Sequence, residues 1–177
     1  LINSDCKKTV SGLNRSVLRN VNRSNSSRFL TNSPWDEDIL NESRVKYSLN
    51  VIFEESKRIS KSPVFFSVDD TLISKTCKRE KIEGISKQYS HVTGKYEWCH
   101  TLVSMQAKCR NLSLPLDFKI YQTEESCVEK NIKFLSKNDL VIDLLKYISF
   151  SKTNPIYLLM DSWYSSAKLI MASLKKG

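Results

Sequence analysis

The stretch PIYLLMDSWYSS (Pro155–Ser166) decides how the chain is built. An apolar run from Ile156 to Met160, opened by a proline and closed by Asp161, reads as a buried central strand. Ser162 or Ser165 is placed to cap a helix over AKLIMASLKK. Just upstream, NDLVIDLLKYI carries Leu140, Val141, Leu144, Leu145 and Ile148 at helical spacing, with Asn138 or Ser136 as its start. Helix, strand and helix in succession form an α/β crossover.

Working back from that crossover, three segments read as strands. VFFSVDDTLI (Val64–Ile73) is rich in β-branched and aromatic residues, YEWCHTLV (Tyr96–Val103) shares that texture, and LPLDFKIY (Leu114–Tyr121) alternates. A basic loop, KTCKREKIEGISKQYSHVTGK (Lys75–Lys95), separates the first two, and its Gly84 and Gly94 suit turns. A polar stretch with Glu124, Glu125 and Glu129 leads into the helix. The order strand-strand-strand-helix-strand-helix predicts an α/β chain with a ribonuclease H-like mixed sheet over residues 61–177. The sheet is expected to be incomplete, because the last helix is read as still running where the sequence stops.

Residues 1–60 have a different texture and are expected to form a small helical, basic lead-in. Val10, Leu13, Val17 and Leu18 suggest one helix. Ile39 to Ile52 suggests another, started by Ser33-Pro34-Trp35-Asp36-Glu37, while NRSNSSRF (Asn22–Phe29) reads as a polar linker.

Composition narrows the function. The 177 residues are 40% hydrophobic, enough for one domain with a core, and the net charge of +9 favours a polyanionic partner, nucleic acid ahead of membrane. No apolar run approaches the roughly 20 residues that cross a bilayer. Five cysteines (Cys6, Cys77, Cys99, Cys109, Cys127) form no CxxC pair, and His91 and His100 do not fall at zinc-ligand spacing. Without a signal peptide, this pattern predicts reduced thiols in a cytoplasmic protein.

The strand order gives the acids a geometric meaning. Asp69 and Asp70 are read as closing the first strand and Asp161 as closing the fourth, so these ends are expected side by side. Carboxylates converging there suit Mg²⁺, a hard ion that takes oxygen ligands. Two such ions about 3.5 to 4 Å apart can drive phosphodiester chemistry. Side chains alternate along a strand, so only one of Asp69 and Asp70 is expected to be a direct ligand. The plainer reading of Asp161 is a helix cap.

VDDTLISK (Val68–Lys75), LPLDFKIY and LLMDSWYSS (Leu158–Ser166) together resemble the catalytic domain of insertion-sequence DDE transposases, in that family's order. RFLTNSPWDEDIL (Arg28–Leu40) resembles its helical lead-in, so the resemblance runs from about Arg28 to the end. It implies DNA cleavage and strand transfer with two Mg²⁺, or Mn²⁺, on transposon ends and target DNA, by a homodimer when intact. It places the first acid at Asp69 or Asp70, with Asp-x-Thr favouring Asp69, and the second at Asp161, making Asp69 and Asp161 the metal ligands. The family's third acid, a glutamate on a later helix, has no counterpart, since no Glu follows Glu129. The chain is therefore expected to be a C-terminally truncated transposase fragment, inactive alone.

The basic loop beside the first acid offers Lys75, Lys78, Arg79, Lys87 and Lys95 as phosphate contacts; a merely solvated hairpin is the plainer reading. Trp163 and Tyr164 are expected to pack the strand-to-helix corner rather than stack on DNA. Two alternatives were weighed. A haloacid-dehalogenase-like phosphatase needs a second acid two residues after its nucleophile, where Thr71 and Leu72 stand. A non-catalytic DNA-binding remnant needs only the basic surface.

Overall fold

The computed structural model describes residues 9–16, 22–58, 62–76, 82–148 and 154–176. Two compact units are present, Leu1–Leu40 and Asn41–Gly177, and the division falls inside a helix rather than at residue 60.

The first unit contains α1 (Val10–Ser16), α2 (Arg23–Asn32) and the start of α3 (Glu37–Arg58). NRSNSSRF is helical, not a linker: the Asn22 side chain caps α2 by accepting from the Ser24 N–H at 3.0 Å. A polar sequence can hold a short helix when its first free N–H groups are satisfied in this way. Asp36 caps α3, as its start signal implied, accepting from the Asp38 and Ile39 amides. Val17 and Leu18 lie outside the described residues.

The second unit carries a five-stranded mixed sheet: β1 (Val64–Ser74), β2 (Ser86–Ser90), β3 (Lys95–Cys109), β4 (Leu112–Tyr121) and β5 (Ile156–Met160). β1 and β4 both pair antiparallel with β3, while β5 pairs parallel with β1. The chain crosses from β4 to β5 through α4 (Glu124–Glu129) and α5 (Lys137–Leu145), and α6 (Ala167–Leu174) follows β5. The expected α/β, ribonuclease H-like arrangement is present. One strand was missed: SKQYS, inside the basic loop, forms β2 and hairpins onto the start of β3 through a turn closed at Gly94 (φ +67°). Lysine-rich flanks hid a five-residue strand whose own residues are mostly polar.

Side chains alternate cleanly across β1. Val64, Phe66 and Val68 are buried with Val103, Met105 and Ala107 of β3 against Val45, Leu49 and Ile52 of α3, Leu140, Val141, Leu144 and Leu145 of α5, and Leu169 of α6. Fully burying such side chains is worth about 1.5–3 kcal/mol each, which makes this face the main source of stability. Asn154, itself buried, donates to Ser56 Oγ at 2.7 Å and ties the end of α3 to the start of β5.

The opposite face differs. Phe118, Ile120, Tyr157 and Leu159 are exposed there, with Phe65 and Tyr157 stacked at 5.4 Å. β5 is accordingly not the fully buried central strand its apolar run implied. Ile156, Leu158 and Met160 face the core, whereas Tyr157 is 51% and Leu159 48% exposed.

Candidate active site between β1 and the end of β5

Parallel pairing between β1 and β5 is recorded to Val68↔Met160, so Asp161 falls at the level of Asp69. Neighbouring parallel strands lie about 4.8 Å apart, which sets the scale of the gap between the two backbones. Asp69 stands midway along β1 rather than closing it, because the strand runs on to Ser74; it is exposed, and among the described residues its carboxylate accepts the adjacent Asp70 N–H at 2.8 Å. Asp161 keeps an extended backbone (φ −64°, ψ 155°), so the alternation that turns Tyr157 and Leu159 outward continues to it.

Asp161 precedes a single 3₁₀ turn, Ser162–Tyr164, yet its side chain makes no capping hydrogen bond to that turn. Its Oδ1 instead accepts from the Ser162 hydroxyl at 3.0 Å. The cap of α6 is Ser166, which accepts from the Leu169 N–H at 3.2 Å, rather than Ser162 or Ser165. Two serines were available nearer the aspartate, but the 3₁₀ turn uses up those positions and delays the helix.

Asp70 points the other way, toward the core side. Its Oδ1 accepts from the Tyr164 hydroxyl at 2.8 Å and its Oδ2 accepts from Lys137 Nζ at 2.7 Å. Tyr164 is 1% exposed. Burial first, then the hydrogen bond to Asp70 and the charges of Asp70, Asp69 and Asp161, push its phenol far above the ordinary range, so it stays a donor at any physiological pH.

Lys137, which sequence reasoning missed, is the first residue of α5. Ser136 caps that helix in a reciprocal box with Asp139, and this fixes where the lysine starts. Its ammonium lies 5.1 Å from the Trp163 ring centroid and 5.6 Å from that of Tyr121. The Ser-x-x-Asp spacing at Ser136 marked the helix start, but nothing in sequence linked Lys137 to a strand 67 residues earlier. Asp139 is in turn bonded by Lys168 and by Ser136, which hold its carboxyl down at about 2. Tyr164 packs the corner as expected, while Trp163 is 61% exposed.

Glu124, Glu125 and Glu129 lie on α4, and among the described residues no three His, Cys, Asp or Glu side chains form a group able to hold a metal ion. Two exposed carboxylates, Asp69 and Asp161, do fit a hard divalent ion as part of its oxygen shell. Lys87 and Lys95 are exposed on β2 and at the start of β3; Lys75 is partly buried just after β1, its N–H bonded to the Trp98 carbonyl at 2.7 Å. Lys78 and Arg79 lie outside the described residues, as do Cys6 and Cys77. Cys99, Cys109 and Cys127 are buried free thiols. No helix of the described residues is long and apolar enough to cross a membrane.

A family model described as DDE superfamily endonuclease matches residues 1–176, beyond the span from Arg28 over which the motifs alone carry the resemblance. No curated protein and no solved structure matches the chain.

Proposed function

The chain belongs to the DDE superfamily endonucleases, and we propose that Asp69 and Asp161 are its two metal-binding acids in Mg²⁺-dependent DNA cleavage and strand transfer of the insertion-sequence transposase type. The family acts on DNA and generally uses divalent metal ions. The observation that carries the assignment is the division of labour within the acid pair. Asp69, midway along β1, and Asp161, just past the end of β5, sit level on adjacent parallel strands with exposed carboxylates, whereas both oxygens of Asp70 are already bonded, to Tyr164 and Lys137. Asp70 keeps lone pairs, but its charge is already matched by Lys137 and its orientation set by Tyr164, so it is the poorer ligand of the pair. When bound, divalent ions supply charge stabilisation to the phosphodiester and activate the attacking hydroxyl.

On this reading the residues of the chain orient and position. Asp69 and Asp161 present oxygen ligands, and Lys87 and Lys95, with Lys75, Lys78 and Arg79, hold backbone phosphates of transposon ends or target DNA. The active assembly is a homodimer in the cytoplasm. A third acid, a glutamate, completes the site in the family. No Glu follows Glu129 here, so the 177-residue polypeptide by itself binds metal weakly and does not carry out strand transfer. A second reading, a non-catalytic DNA-binding protein that acts through its basic surface, rests on the net charge of +9.

Isothermal titration with Mn²⁺ tests the assignment: binding by the wild-type chain should be lost in Asp161→Ala. Unchanged binding in that variant contradicts it, and strand transfer by the purified wild-type chain with Mg²⁺ contradicts the incomplete site.

A further inference from the structure

We propose that Asp70, Tyr164 and Lys137 form a clamp that sets the spacing of Asp69 and Asp161, so that Tyr164 and Asp70 are positioning residues for the metal site rather than ligands. This inference rests on the assignment of Asp69 and Asp161 as the metal-binding acids.

The geometry is a bracket. Before the acids, Met160 pairs with Val68 through the parallel ladder. After them, Tyr164 bonds to Asp70 at 2.8 Å. Val68 and Asp70 are the immediate neighbours of Asp69, and Met160 and Tyr164 stand on either side of Asp161, so each acid lies between two cross-links joining the same two segments. The loop between those cross-links is a single tight turn, closed by the Tyr164 N–H on the Asp161 carbonyl at 2.9 Å. Asp161 is thus left little backbone freedom although its side chain is exposed. A ladder alone would leave the residue after its last pair free to fray; the phenol prevents this.

Lys137 supplies the third arm. Its ammonium neutralises Asp70, so the carboxylate that anchors the phenol adds little repulsion to the two acids beside it. The lysine is itself held by the start of α5, whose capping acid Asp139 is bonded by Lys168 on α6. Both helices that flank the crossover therefore converge on the clamp. Pre-positioning of ligands by such supporting bonds typically changes metal affinity by about 10- to 100-fold when it is lost.

Tyr164→Phe removes one oxygen and no charge, which makes it the cleanest probe. Mn²⁺ binding is measured by loss of the free-ion electron paramagnetic resonance signal in wild type, Tyr164→Phe, Asp161→Ala and Ile52→Val. The last is a core variant in α3 that lowers Tm without touching the site. The clamp predicts at least threefold weaker Mn²⁺ binding in Tyr164→Phe, wild-type affinity in Ile52→Val, and none in Asp161→Ala. Amide hydrogen exchange at residue 164 should also be accelerated in Tyr164→Phe by more than that of the core amides of α3. Wild-type affinity and exchange in Tyr164→Phe, with binding still lost in Asp161→Ala, overturns the clamp alone. Equal weakening in Ile52→Val shows that general stability is responsible and overturns it as well. Binding that survives Asp161→Ala removes the metal assignment and the clamp's role with it.

Discussion

Tyr164 donates its phenolic hydrogen bond to Asp70 Oδ1 at 2.8 Å, joining the corner that follows β5 to the strand that carries Asp69. The bond is half-buried, charge-assisted and formed between residues 94 apart in sequence. A bond of this kind to a charged acceptor contributes about 1.5–3 kcal/mol, and its removal leaves one lone pair of Asp70 without its donor. Tyr164→Phe is expected to lower unfolding free energy by about that amount in urea denaturation, with an unchanged m-value.

Acid should weaken the α5–α6 connection at a defined pH. Lys168 and Ser136 hold Asp139 at about 2, below the 3.8 of an unperturbed aspartate. A carboxylate depressed in the folded state stabilises it fully above the unfolded value and loses that contribution as pH falls through the folded one. Stability is therefore expected to decline between about pH 4 and pH 2 from this group. Asp139→Asn should be less stable at neutral pH and show a shallower decline over that window, as followed by thermal melts.

The face of the sheet opposite the core has a measurable consequence. Phe118 and Ile120 on β4 and Tyr157 and Leu159 on β5 expose apolar surface on it, and exposed apolar surface binds hydrophobic dyes and promotes association. The purified chain should enhance anilinonaphthalene sulfonate fluorescence in its native state. Leu159→Lys should reduce that signal and raise solubility with little change in Tm, because the side chain is 48% exposed.

DNA binding, if it uses the exposed lysines of the β2–β3 hairpin, must be salt-dependent. Each phosphate contact contributes a slope of about −0.9 in log K against log salt on duplex DNA. Lys87→Gln and Lys95→Gln should each weaken binding across unrelated sequences and reduce the slope by about one. A variant pair with the wild-type slope would place the phosphate contacts elsewhere.

Much of this was legible in the sequence, for identifiable reasons. β1 announced itself through its β-branched and aromatic residues, β4 through alternation, α5 through its apolar spacing and its Ser136 cap, and the level placement of Asp69 and Asp161 followed from strand order. The resemblance to DDE enzymes rested on the same stretches. β2 escaped notice because its polar residues lie between charged flanks, and α2 because an Asn cap, not an apolar stripe, holds it. The exposure of Tyr157 and Leu159 was hidden because an apolar run does not say whether both faces of a strand are covered. The engagement of Asp70 was beyond reach, since its partners Lys137 and Tyr164 lie 67 and 94 residues away and only the crossover brings them together.

The central claim is that Asp69, and not its neighbour, shares a divalent ion with Asp161. Mn²⁺ titration calorimetry on Asp69→Asn and Asp70→Asn tests it most directly. The account predicts that Asp69→Asn abolishes binding and that Asp70→Asn weakens it but leaves it measurable; abolition in Asp70→Asn together with wild-type binding in Asp69→Asn would contradict it.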